Sequence, residues 1–201
     1  MKNIAFIFNV SRETLNYFDL TNLFLCFNIL VDATYMLEIG QDGNVAALIS
    51  SICVHHFLWE EMFHVKHYIN EMILQARKAS KKENTPVGAI IVKNNEVIAK
   101  AYNTKNATNI AVNHAEILVI IKACKKLNRW ILDDCDLYVT LKPCDMCIGA
   151  IKEARIRKIY YLLESNYEHV SRETYKMEKI SDNLLEDEYK KILSNFFKTI
   201  R

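Results

Sequence analysis

From His67 onward the hydrophobic and polar positions fall into clear periods. Ile69, Met72, Ile73 and Ala76 recur at helical spacing, which predicts an amphipathic helix running to about Lys82. The period then changes. Val87–Val92 and Val97–Tyr102 are rich in residues that favour strands, and the Asn94-Asn95 pair between them suits a tight hairpin turn. After a polar loop the chain reads as a helix from about His114 to Leu127, a strand over Leu137–Leu141, and a helix opening near Cys144. A strand over Lys158–Leu163, a variable connection and a last helix over about Leu185–Lys198 follow. Helices alternating with short strands in this order predict an α/β sandwich around one mixed sheet.

The stretch before Met62 keeps neither period for long and holds no cluster of chemically active side chains. The expected organisation is an N-terminal extension over 1–61 and a folded domain over 62–201. Two readings of the extension stand side by side: a small accessory helical region, or an over-extended gene start with Met62 as the true first residue.

Composition narrows the class. A chain of 201 residues with 51% hydrophobic and 25% charged residues is ordinary for a soluble globular protein. Its formal charge of +2, from 26 basic and 24 acidic residues, lacks the excess of a non-specific nucleic-acid binder, so any RNA contact must be a local patch. The apolar run Leu20–Val31 is interrupted by Asn22 and Asn28 and is too short to span a bilayer; the start, Met1–Val10, is cut short as a signal core by Ser11, Arg12 and Glu13. No membrane role is expected. Six cysteines, two of them in one Cys-x-x-Cys, point to metal ligation and a reducing, cytosolic compartment rather than to a disulfide framework.

One repeat stands out. Val10-Ser11-Arg12-Glu13-Thr14 recurs as Val170-Ser171-Arg172-Glu173-Thr174 in contexts that share nothing else. The pentapeptide can be written within the self-complementary DNA string TGTTTCACGTGAAACA. Shifted by one frame, the same string encodes Met62-Phe63-His64-Val65-Lys66-His67, and its remaining frame contains a stop codon. The string resembles parS, the centromere-like site bound by bacterial chromosome-partition proteins. That reading, set against coincidence, discourages a catalytic role for His64, His67 or Arg172.

The candidate chemistry lies in two helix starts. His114-Ala115-Glu116 opens one helix and Pro143-Cys144-Asp145-Met146-Cys147 opens the helix after the next strand. Two cysteines three apart on a first turn share a side, so both thiolates can reach one ion, and His114 supplies a third ligand. Three protein ligands leave a fourth zinc position for water, the mark of a catalytic rather than a closed structural site. Glu116 is placed to move protons beside that water. The competing readings are a structural zinc completed by Cys124 or Cys135, and a Glu116 that only answers the helix dipole. Cys26, Cys53, Cys124 and Cys135 are expected as free thiols.

These residues resemble the cytidine-deaminase-like superfamily, whose zinc deaminases share the H-x-E and P-C-x-x-C signature; within it the likeness is to bacterial tRNA-specific adenosine deaminases. It covers about His67 to Leu163 and the last helix, through Pro86-Val87-Gly88-Ala89, Asn103, His114-Ala115-Glu116-Ile117, Leu137-Tyr138-Val139-Thr140-Leu141, Pro143-Cys144, Met146-Cys147, Gly149-Ala150-Ile151, Ala154-Arg155-Ile156 and Asn195-Phe196-Phe197. The resemblance implies a three-layer α/β/α sandwich around a mixed five-stranded sheet. It implies one Zn2+ per chain on His114, Cys144 and Cys147, with Glu116 as the catalytic proton carrier. It further implies a homodimer that converts adenosine to inosine at the wobble position of a tRNA anticodon stem-loop, with Asn103, Pro86 and Val87 contacting the substrate. Read without the family, Asn103 is equally a turn residue.

Three departures bear on the substrate. Ala111-Val112-Asn113 stands where the family commonly has Pro-Thr-Ala, Lys142 replaces the usual glutamate before Pro-Cys, and Glu168–Thr174 replaces a glycine- and lysine-containing segment. A free cytosine or guanine deaminase is therefore the alternative, and a non-catalytic RNA-binding or partner-binding subunit a third reading that the intact Glu116 opposes. Lys78, Lys81, Lys82, Arg155, Arg157, Lys158, Lys198 and Arg201 could neutralise phosphates, and Tyr160, Tyr161, Phe196 and Phe197 could stack on bases.

Overall fold

The computed structural model describes residues 45–165 and 175–199, with side chains from Met62 onward. The chain divides into two units, Met1–Glu60 and Glu61–Arg201. Of the first, only the backbone of 45–60 is described, as part of helix α1 (Val45–Ser80). The second carries all the elements that follow.

Within that unit α1 earns its place through one stripe: Tyr68, Ile69, Met72, Ile73, Ala76 and Ala79 are all buried, at the three-and-four spacing of a helix face. Strands β1 (Gly88–Lys93) and β2 (Glu96–Tyr102) form an antiparallel hairpin. Its turn residues Asn94 and Asn95 both take positive φ, 48° and 62°, the conformation that makes asparagine favourable in a two-residue hairpin loop. A short helix α2 (Lys105–Thr108) interrupts what the sequence shows only as a polar loop. Helix α3 (Ala115–Leu127), strand β3 (Asp136–Leu141), helix α4 (Asp145–Glu153) and strand β4 (Lys158–Leu163) follow as expected. The chain then forms strand β5 (Met177–Lys179) and helix α5 (Asn183–Thr199).

The sheet order is β2-β1-β3-β4-β5, antiparallel between β1 and its two neighbours and parallel from β3 to β5. The sheet is mixed and five-stranded. β5 has no sequence signature: three residues long and largely exposed, it offers no apolar alternation and exists through its pairing with β4.

Alternate strand residues serve opposite faces. Ala89, Ile91, Leu137, Val139, Ile159 and Tyr161 pack with Ala115, Val119 and Ile120 of α3 and Ile151 of α4. Ile90, Val92, Tyr138 and Leu162 pack instead with the α1 stripe and with Leu185 and Tyr189 of α5. Helices thus cover both faces, giving the three-layer α/β/α sandwich. Because β1 and β3 are covered on both sides, five of their six residues are buried in each, and they read as continuous apolar runs.

Candidate metal centre

Two helices on the same face of the sheet supply the centre. α3 begins after His114, which takes an extended backbone (φ −74°, ψ 154°) as its N-cap and makes no side-chain capping bond. α4 begins after Cys144 in nearly the same conformation (φ −77°, ψ 168°), also with no side-chain capping bond. Each residue accepts through its carbonyl oxygen, from Leu118 N–H at 3.1 Å and from Ile148 N–H at 2.9 Å. The backbone therefore starts the helix while the side chain remains available. Pro143 suits this arrangement, since it keeps the residue before it out of the helical region and halts the chain ahead of α4.

One turn into α4, Cys147 is fully buried and faces the same point. His114 Nδ1 lies 3.7 Å from Cys144 Sγ and 3.5 Å from Cys147 Sγ, and the two sulfurs are 3.7 Å apart. This trio is the group of side chains that could hold a metal ion among the described residues. Cys124 and Cys135 are not part of it: Cys124 Sγ lies near the Trp130 carbonyl, and Cys135 is a buried thiol pushed up to about 11 by burial first and then by its hydrogen bond to Asp134.

The electrostatics favour an electron-rich donor set. The Cys144 thiol is pushed down to about 4, first by the hydrogen bond it shares with Cys147 and then by His114. Cys147 is driven the other way by the same hydrogen bond, by burial and by Glu116. A bound cation would hold both as thiolates. The His114 imidazole is raised, chiefly by its hydrogen bond to Cys144.

Glu116 lies in the first turn of α3 and is only 4% exposed. Burial raises its proton affinity, opposed by the backbone at the helix start and by His114, and the carboxylate shares a hydrogen bond with Cys147. Among the described residues no lysine or arginine forms a salt bridge with this buried carboxyl, which sits in the same helix start as His114, one of the three side chains that could hold a metal ion.

The three substrate-contact candidates are laced to this centre through the backbone. Asn103 N–H donates to the Val87 carbonyl at 3.0 Å, and the next residue, Thr104, donates to Asn113, the neighbour of His114, at 3.1 Å. Asn103 Oδ1 accepts from Lys105 N–H at 2.8 Å, so the turn reading holds for its oxygen. Pro86 and Val87 are buried, Val87 within the cluster that contains Ala115.

Two positioning contacts are absent from the sequence pattern. The buried Tyr189 hydroxyl donates to the Pro86 carbonyl at 3.0 Å, and Thr140 Oγ1 accepts from Gly88 N–H at 3.1 Å. Both join residues far apart in the chain, and no local period betrays them. Lys142 finds its partner in Glu164 at 3.0 Å and lies over the Tyr161 ring. Of the stacking candidates, Tyr161 and Phe196 belong to the core and Tyr160 stacks on Tyr138, which leaves Phe197 exposed. Of the basic candidates, Arg157 is engaged with Asp136 and Lys158 with Glu178.

An α/β/α sandwich with an imidazole and two thiols converging from two helix starts, and a buried glutamate beside them, defines a cytidine-deaminase-like protein. The family model of the MafB19-like deaminases matches residues 63–201, well over half of the chain, and the chain belongs to that family. It is an enzyme of the deaminase class. It is 35% identical over 150 residues to the tRNA-specific adenosine deaminase of Bacillus subtilis, covering 67% of this chain and 89% of that one. The corresponding enzyme of Agrobacterium fabrum is 37% identical over 144 residues, covering 67% and 95%. Among solved structures, the guanine deaminase of Nitrosomonas europaea superposes with a TM-score of 0.55 at 19% identity, covering 64% of this chain and 82% of that one. This last likeness is one of fold. No helix among the described residues is long and apolar enough to cross a membrane.

Proposed function

We propose that this protein is a zinc-dependent hydrolytic deaminase that converts adenosine to inosine at the wobble position of a tRNA anticodon. The observation that carries the chemistry is Glu116, buried against the His114, Cys144 and Cys147 donors. What favours the tRNA substrate over free cytosine or guanine is the likeness to the two tRNA-specific enzymes, 35% and 37% identical and spanning 89% and 95% of their lengths.

The donor set fits zinc. Bonds of about 2.3 Å to sulfur and about 2.0–2.1 Å to nitrogen put tetrahedral ligands about 3.8 Å apart between sulfurs and about 3.6 Å between sulfur and nitrogen. The edges here are 3.7 Å between sulfurs and 3.5 and 3.7 Å from sulfur to nitrogen. Bound there, zinc supplies the Lewis acidity that makes a water nucleophilic near neutral pH.

Glu116 accepts a proton from the attacking water and delivers it to the ring nitrogen beside the attacked carbon; it then takes the proton of the newly added hydroxyl and passes it to the amino group, so that the C–N bond breaks, ammonia leaves and the carbonyl forms. The raised proton affinity of its buried carboxyl suits it to both halves of that traffic. Asn103 keeps its oxygen on Lys105, so its amide nitrogen is the group offered to the purine, while Pro86 and Val87 wall the pocket. Ile110 and Val112, about half exposed just before His114, give an apolar rim against which an RNA loop can pack. Reduced thiols at the centre favour a cytosolic setting, and the family resemblance favours a homodimer.

The test is direct. Purified protein is incubated with an anticodon stem-loop bearing adenosine at the wobble position and, separately, with free cytosine and guanine. Inosine in the stem-loop, with no product from the free bases, is expected. Turnover of a free base alone would move the assignment to the small-molecule deaminases.

A further inference from the structure

The repeated word and its frame-shifted counterpart remain unused by the deaminase reading. We propose that the gene of this chain carries, at the codons for residues 10–14, 62–67 and 170–174, three copies of one self-complementary DNA element bound by a two-fold symmetric chromosome-partition protein. The residues at these places are then specified by DNA recognition, not by packing or catalysis.

The genetic code makes the proposal demanding. TGTTTCACGTGAAACA equals its own reverse complement, so it reads alike in either orientation. An open reading frame can contain it in two forms only, because the third passes through TGA. In the first form it yields Val-Ser-Arg-Glu-Thr, and the preceding codon must end in T. Asn9 and His169 both have such a codon, whereas lysine, glutamate, glutamine, methionine and tryptophan have none. In the second form it yields Phe-His-Val-Lys, preceded by Met, Leu or Val and followed by His or Gln. Met62 and His67 satisfy both flanks. Two peptide words with no amino-acid pattern in common thus reduce to one string.

The fold agrees at the place where it can be read. Residues 10–14 and 170–174 lie outside the described residues, the latter between β4 and β5. Met62–His67 lies on α1, yet none of its six residues is buried: Met62 is 54% and Phe63 47% exposed, and the buried stripe begins at Tyr68. Among the described residues, Met62–His67 contributes neither a metal donor nor a buried member of either core cluster, and only Val65, partly buried, borders the cluster on the α1 side. A palindrome with equal halves is the signature of a dimeric reader, each subunit contacting one half-site. The likeness to parS identifies that reader as a partition protein.

The first measurement is the coding DNA itself. All three places should spell TGTTTCACGTGAAACA; synonymous codons that break the string would overturn the proposal. The second is a mobility-shift titration with the source organism's own chromosome-partition DNA-binding protein. Duplexes carrying each native segment should bind about a thousandfold more tightly than duplexes recoded synonymously, the usual margin of specific over non-specific binding. Equal affinity for native and recoded duplexes would overturn it as surely, and neither result touches the deaminase assignment.

Discussion

His114 Nδ1 stands 3.5 Å from Cys147 Sγ, although 33 residues separate them in sequence. The contact exists because α3 and α4 both start at the same end of the sheet and on the same face, so that a residue at or near each helix start meets the other. Removing either partner leaves two donors, which seldom hold zinc in an open site. Cys147→Ala should therefore lose metal and turnover together. Metal analysis of the purified variant checks this, and full zinc occupancy would contradict the ligand set.

Glu116→Gln should separate binding from chemistry. The amide preserves shape and leaves the three donors in place, but it cannot accept a proton, so zinc content should stay near one per chain while turnover falls about a hundredfold to ten-thousandfold or more. Near-normal activity in this variant would remove Glu116 from the mechanism.

Lys142 and Glu164 form a pair whose sign can be tested. Lys142→Glu places two carboxylates where a 3.0 Å ion pair now sits and also removes the cation over Tyr161. The single change should destabilise by about 0.5–1 kcal/mol, with partial recovery in the double variant Lys142→Glu, Glu164→Lys. Thermal unfolding of the four proteins in a double-mutant cycle gives the coupling; additivity would show that the pair contributes nothing.

A chain beginning at Met62 should fold, take up zinc and deaminate as the full chain does. The family match begins at residue 63, and the first buried side chain described on α1 is Tyr68. Limited proteolysis of the full chain is the companion measurement. A resistant segment before Met62, or an insoluble shorter chain, would make the first 61 residues part of the folded core.

The elements and the convergence of His114, Cys144 and Cys147 were legible because they rest on short-range rules. The α1 stripe at Ile69, Met72, Ile73 and Ala76, the asparagine hairpin, and the two helix-start motifs all carry their cause within a few residues. What escaped is held by distant partners. β5 exists only by pairing with β4, α2 draws support from Asn84 Oδ1 accepting from Ala107 N–H, and Pro86 is fixed by the Tyr189 hydroxyl from the last helix. The fates of Tyr161 and Phe196 were illegible for a related reason. Aromatic residues serve cores and RNA surfaces equally well, and only the packing of α5 and the sheet decides between them.

Gly88 gives the sharpest test of the packing itself. It opens β1 directly against α1, and a Cβ built there would stand 2.7 Å from Ala76 N and 2.8 Å from Gln75 Cβ, with the Met72 carbonyl oxygen closer still. Two of these three neighbours are helix backbone and cannot swing away as a side-chain end would, so accommodating even alanine requires α1 to move off the sheet. That movement would open contacts of Ile69, Met72, Ile73 and Ala76 with Ile90 and Tyr138. Gly88 N–H also donates to Thr140 Oγ1, a bond that a displaced β1 would strain. Gly88→Ala should cost about 2 kcal/mol or more, in the range of overpacked cores. Urea unfolding at equal protein concentration measures it, with Gly149→Ala as the control, since a Cβ at Gly149 meets nothing within 4 Å. A Gly88→Ala protein as stable as the parent would show that α1 and β1 are not packed as described.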